Sequence, residues 1–156
     1  MNSISQNILI VTLTFFAMES VAWIAHKYLM HGLLWFLHTD HHKRDDQQFF
    51  EKNDYFFLIF ATPGITCLYL GLENFTTPFW IGLGITIYGF AYFLVHDIFI
   101  HQRFNLFKNT DSVYLRAIRK AHKVHHKRLT KENGESFGML WVPFHYFKEA
   151  SKARDK

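Results

Sequence analysis

The sequence predicts an all-α integral membrane bundle, a single domain across residues 1–156, built around a histidine-rich site for two metal ions. Three observations predict it: three long apolar runs, a chain of only 156 residues, and ten of the eleven histidines gathered into four tight groups. The near-neutral mean hydropathy hides this pattern, because long apolar runs alternate with very polar stretches.

The first run, residues 8–25 (ILIVTLTFFAMESVAWIA), carries one charge, Glu19. The second, residues 55–72 (YFFLIFATPGITCLYLGL), and the third, residues 79–95 (FWIGLGITIYGFAYFLV), carry none. Each approaches the ~20 residues that take a helix across a bilayer. A soluble chain of this length has too little mass to bury three such helices on every side. Pro63-Gly64 falls inside the second run, where a kink is tolerated if neighbouring helices satisfy the freed carbonyl. The leading MNSISQN lacks the basic segment of a cleavable signal. The single cysteine, Cys67, lies in the second run as a small packing residue and excludes an internal disulfide.

Thirteen of the seventeen Lys and Arg residues follow His101. No nucleic-acid motif accompanies this basic end, so a membrane surface is the better partner for it. Residues 1–26 have no Lys or Arg, the loop after the first run has Lys27, Lys43, Arg44 and Lys52, and the ENFTTP connection has none. The bias of basic residues toward the cytoplasm then places the N-terminus outside and the long polar segments inside. That topology brings all four histidine groups to one side of the bilayer.

The groups are His26 and His31, then His38, His41 and His42, then His96 and His101, then His122, His125 and His126. Within a triplet, positions i, i+3 and i+4 share one side of a helix, and each triplet is expected to converge on one point. The H-x4-H pairs differ by about 140° on an ideal helix. They share a metal only through a local distortion or helix end, or else serve two metals. A pair and a triplet, repeated, suggest two metals with five imidazoles each. Ligand type leaves zinc, copper, iron and nickel open, but ten histidines exceed what a structural zinc uses. A redox metal with an open position suits a site beside the bilayer, and iron is the expectation. His145, outside the pattern, reads as structural or interfacial.

In DSVYLRAIRKAHKVHH, Leu115, Ile118, His122 and His125 form one helical stripe, with Arg116, Arg119, Lys120, Lys123 and Lys127 over much of the remainder. Asp111 or Ser112 caps this helix. Glu19 lies two helical turns before His26, and a carboxylate inside a span needs a partner. An outer hydrogen bond to a ligating imidazole would provide one. Asp97, beside His96, and Asp40, inside the first triplet, are candidates for the same part.

These residues resemble a known family. The histidine pattern is similar to that of the membrane fatty-acid hydroxylase superfamily, and the match narrows to the bacterial β-carotene hydroxylases through HKYLMHG, WFLHTDHH, FFEKND, HDIFIHQRF, AHKVHH and SFGMLW. The resemblance covers roughly Glu19 to Trp141. KRDDQQ after the first triplet is more acidic than that pattern, and the family's four membrane helices exceed the three runs here. FGMLWVPFHYF is the candidate for an interfacial or re-entrant fourth piece. The resemblance implies a non-haem di-iron monooxygenase whose ten histidines hold two Fe ions. It would use O2 to hydroxylate carbons 3 and 3′ of β-carotene, giving zeaxanthin through cryptoxanthin, and would take canthaxanthin toward astaxanthin. Electrons would come from an external ferredoxin-type donor, since the chain shows no cofactor-binding motif and no catalytic residues beyond the metal site.

Competing readings are a fatty-acyl, sterol or other lipid hydroxylase or desaturase with the same metal chemistry, and a membrane metal carrier. Transport places polar ligands near the bilayer midplane, whereas the second and third runs are apolar there. A bis-histidine haem protein would want single histidines well inside two helices.

Overall fold

Helix α1 (Ile4–Ile24) begins at Ser3, whose hydroxyl accepts from the backbone N–H of Gln6 while the Gln6 side chain accepts from the Ser3 N–H. This reciprocal cap satisfies two of the donors that every helix start leaves over. The computed structural model describes residues 3–43, 50–104, 106–107 and 109–152. Residues 44–48 of the KRDDQQ stretch therefore lie outside the described residues.

Beyond α1 the helix widens into a π-helical segment, Ala25–Leu33, and its path breaks at Gly32. Helix α2 (Trp35–His42) follows, then a short 3₁₀ turn, Lys52–Asp54, leading into α3 (Tyr55–Gly71). Helix α3 runs through Pro63 without ending. Helix α4 (Thr77–Tyr92), with Pro78 in its first turn, continues as a second π-helical segment, Phe93–Ile100. Helix α5 (Val113–His126) is capped by Ser112, whose hydroxyl accepts from the Leu115 N–H, and α6 is Phe144–Lys152. The expected Ser112 cap is thus present. Among the described residues every regular element is helical, as an all-α chain requires.

Among the described residues, three helices are long and apolar enough to cross a membrane: Ile4–Leu33, Lys52–Gly71 and Thr77–Ile100. The first and third outrun the apolar segments 8–25 and 79–95, chiefly at their C-terminal ends, which carry His26, His31 and His96. Apolar side chains such as Ile8, Leu13, Leu58 and Leu70 point outward, as a lipid-facing surface demands.

Helix α4 is central, packed against both α1 and α3. Glycines make that approach possible. A Cβ on Gly82 would stand 2.6 Å from the Leu68 nitrogen of α3, and one on Gly84 2.7 Å from the Thr14 Cβ of α1. Small residues at two faces of one helix let the backbones meet on both sides.

Outside the spans, α5 buries Ala117 and Ala121 against Tyr146 and Ala150 of α6, and Ile118 against Phe99 and Ile100. Lys120 and Glu149 pair across α5 and α6 at 2.7 Å. Arg119 departs from the expected basic face. Its guanidinium donates to the carbonyls of Phe99 and Phe107 at 2.9 Å each and lies 3.8 Å from the Phe99 ring centroid. The FGMLWVPFHYF segment forms no fourth span: residues 134–143 have no regular structure, and α6 is a nine-residue helix resting on α5.

Candidate metal centre

The two π-helical segments account for the H-x4-H pairs. A π-turn repeats at i→i+5, so residues five apart stack where an α-helix would splay them. The His101 N–H donates to the His96 carbonyl at 2.9 Å, closing such a turn. The rings of His96 and His101 then lie 4.5 Å apart, and those of His26 and His31 5.2 Å apart. The local distortion that a shared metal requires is built into the backbone.

Nine histidines form two groups whose ring nitrogens lie within 4.8 Å of one another: His26, His31, His38, His42 and His125 in the first, and His41, His96, His101 and His122 in the second. Each pair stays whole, but the triplets divide. His38 and His42 enter the first group while His41 enters the second, and His125 and His122 part likewise. This corrects the expectation that a triplet converges on one point. Residues i+3 and i+4 diverge by about 100° around a helix, so one helix lying between two centres feeds both. The tenth histidine, His126, has its ring 4.6 Å from His41 and 4.7 Å from His101, and stacks on His42 at 4.6 Å, bordering both groups. His145 is exposed against Tyr146, apart from the cluster.

Nearly all these rings are buried, His38 and His125 almost completely. Burial first, and then the neighbouring imidazoles, depress their basicity: His42 falls to about 4 and His125 to about 3, with His41 and His122 held well below the ordinary range. The site therefore favours neutral imidazoles, the form that binds metal.

The first group is fixed from behind by one stretch of chain. His26 Nδ1 donates to the Phe137 carbonyl (2.9 Å), His31 to Lys131 (3.3 Å), His42 to Arg128 (2.7 Å) and His125 to Glu135 (2.7 Å). His38 Nδ1 donates to Asn53 Oδ1 at 2.6 Å. A neutral imidazole that donates through Nδ1 presents a bare lone pair at Nε2. Yet His26 and His38 meet Nε2 to Nε2 at 3.1 Å, and so do His31 and His125. Two lone pairs do not hydrogen-bond. The Nε2 atoms of His41, His42 and His126 are likewise buried with no partner. A cation between them resolves all of these contacts, so the donor set fits a metal.

The second group is backed by carboxylates. His41 Nδ1 donates to Glu51 Oε2 at 2.6 Å, and Arg103 ties Glu51 (3.2 Å), Asp54 (2.8 Å) and Asp97 (3.3 Å) together. Burial raises the Glu51 carboxyl, and the Arg103 guanidinium draws it back down.

The carboxylates singled out in the sequence fare differently. Asp97 lies 3.6 Å from His96 Nδ1, beyond hydrogen-bond range, and pairs with Arg103. Asp40 accepts from the Lys52 N–H at 2.6 Å and so shapes the loop. Glu19 accepts from the Tyr88 hydroxyl and from the N–H groups of Met139, Leu140 and Trp141. Sequence reasoning missed Glu51, Asn53 and the backbone carbonyls of residues 128–137. The first two stand in FFEKND, whose polar cluster before an apolar run was the available signal. Carbonyls leave no sequence signal.

Comparison with known proteins follows the same lines. The family model described as fatty acid hydroxylase matches residues 11–145. The chain is 42% identical over 137 residues to a protein named beta-carotene hydroxylase from Pantoea ananas, covering 88% of this chain and 78% of that one. It is 36% identical over 138 residues to the beta-carotene hydroxylase of Paracoccus sp. (strain N81106 / MBIC 01143), covering 88% and 85%. Against beta-carotene 3-hydroxylase 1, chloroplastic, of Arabidopsis thaliana it is 41% identical over 130 residues, 81% of this chain and 41% of that one. No solved structure matches.

Proposed function

The chain belongs to the fatty acid hydroxylase family, and from that premise we propose that it is a membrane monooxygenase hydroxylating carbons 3 and 3′ of the β-ionone rings of carotenoids. β-Carotene becomes zeaxanthin by way of cryptoxanthin, and canthaxanthin is a further substrate. The reaction takes one O2, two electrons and two protons per hydroxyl, releasing one water. A ferredoxin-type protein supplies the electrons, and the histidine site faces the cytoplasm of a bacterial inner membrane with the N-terminus outside.

The observation that carries this reading is the pairing of two buried imidazole groups, at the ends of apolar helices, with the beta-carotene hydroxylase relatives. His26, His31, His38, His42 and His125 would hold one Fe ion, and His41, His96, His101 and His122 the other, with His126 at their border. Iron, when bound, supplies the activation of O2 that cleaves an unactivated C–H bond, which side chains alone do not. The chain's own work is positional. Carbonyls and Asn53 hold the first group's rings in one tautomer, and Glu51 does so for His41. The apolar spans admit a hydrocarbon that dissolves in the bilayer and leave the metal groups at its edge.

Expression in bacterial cells that accumulate β-carotene, followed by chromatography with mass detection, tests the reading. Pigments heavier by one and two oxygen atoms are the expected products. Unaltered β-carotene beside oxygenated fatty acyl or sterol lipids would replace the carotenoid with another lipid substrate. Metal uptake without any oxygenated product would point to a carrier.

A further inference from the structure

Glu19 lies within an apolar run, is almost fully buried, and hydrogen-bonds to none of the metal groups' rings. Its Oε1 accepts from three consecutive backbone donors, the N–H groups of Met139 (2.9 Å), Leu140 (2.8 Å) and Trp141 (3.2 Å), and its Oε2 accepts from the Tyr88 hydroxyl at 2.8 Å. A carboxylate in a span persists only where such donors replace water. Two turns further along the same helix, His26 Nδ1 donates to the Phe137 carbonyl at 2.9 Å. The strap 137–141 is therefore fastened to the first span at two points, one of them a histidine of the first group. The same stretch of chain, upstream, supplies the Lys131 and Glu135 carbonyls that orient His31 and His125. The second group rests on other supports, Glu51 and Arg103.

We propose that Glu19 is a positioning residue that sets the register of this strap, and so governs metal occupancy at the His26, His31, His38, His42 and His125 group while leaving the other group intact. This rests on the reading of both groups as metal sites.

The test uses the full-length protein, stripped of metal in detergent and titrated with cobalt(II) alone. Absorption reports the sites and hydrogen exchange reports the strap. Wild type is expected to fill two classes of site. Glu19→Ala should lower the affinity of one class about 10–100-fold and speed exchange of the 139–141 amides, with the second class unchanged. Glu19→Gln should restore both classes, because its amide oxygen still accepts from the three N–H groups.

Gly138→Val gives an independent probe that keeps Glu19 and every imidazole. A Cβ there would lie 2.8 Å from Glu19 Oε1 and 2.9 Å from the Trp141 carbonyl oxygen, so the strap must shift and one class of site should weaken as in Glu19→Ala. Undiminished binding in Glu19→Ala or in Gly138→Val, or loss of both classes together in a folded protein, would overturn the proposal. A wild type that takes up no cobalt would instead sink the metal reading on which it rests.

Discussion

His31 and His125, ninety-four positions apart, meet Nε2 to Nε2 at 3.1 Å while each donates through Nδ1 to a backbone carbonyl. The facing nitrogens both carry lone pairs, and a pair of that kind is repulsive unless a cation lies between them. On the metal reading proposed above, function and stability at this site would turn on the same ion.

Replacing His125 with alanine tests that dependence directly. This ring is fully buried and adjoins His26, His31 and His42. His125→Ala is expected to abolish hydroxylated pigment and to lower bound iron by about half, read by pigment chromatography and elemental analysis of the purified protein.

Glu51→Ala should act through a ligand it only supports. With the 2.6 Å bond to His41 Nδ1 gone, the imidazole loses its orienting acceptor, and hydroxylation should drop about 10–100-fold. Glu51→Gln, which keeps an acceptor oxygen, should lie between alanine and wild type. Equal activity in all three would remove Glu51 from the site.

Acid should destabilise the metal-free protein. The His42 and His125 imidazoles titrate near 4 and 3 when folded, against an ordinary value near 6.5. Below about pH 6.5 the unfolded chain binds more protons than the folded one, so stability is full above that value and declines toward pH 4. Thermal unfolding in detergent should shift to lower temperature across this window, and bound metal should blunt the shift. A flat profile from pH 7 to pH 4 would contradict it.

Two glycines of one helix should answer alanine differently. At Gly82 the added Cβ meets the Leu68 nitrogen at 2.6 Å and the Gly64 oxygen at 2.8 Å, so α3 and α4 must separate, at a cost of about 1–3 kcal/mol. At Gly89 nothing lies within 4 Å, and alanine should stabilise by about 0.4–1 kcal/mol through the unfolded chain. Reversible unfolding of both variants in detergent measures the contrast.

Apolar runs and histidine spacing made the three spans and the ten histidines legible in the sequence, because burial in lipid and metal ligation each leave a compositional trace. The π-helical widening at His26–His31 and His96–His101 appeared only as a geometric demand that an α-helix fails to meet. The division of the triplets was hidden, since one helix face looks the same whether it serves one centre or two. Three of the four partners of Glu19 were hidden for another reason: they are main-chain N–H groups 120 or more residues away, and backbone groups are the same in every sequence.

The strap also imposes an order on biosynthesis. Every histidine up to His101 leaves the ribosome before the carbonyls of residues 128–137 that fix the first group, and before His122 and His125 complete the two groups. A nascent chain halted at the third span would thus present exposed, loosely held imidazoles with no finished cage. If the groups hold metal as proposed, capture would be a late step in synthesis, complete only once residues 122–137 have been made.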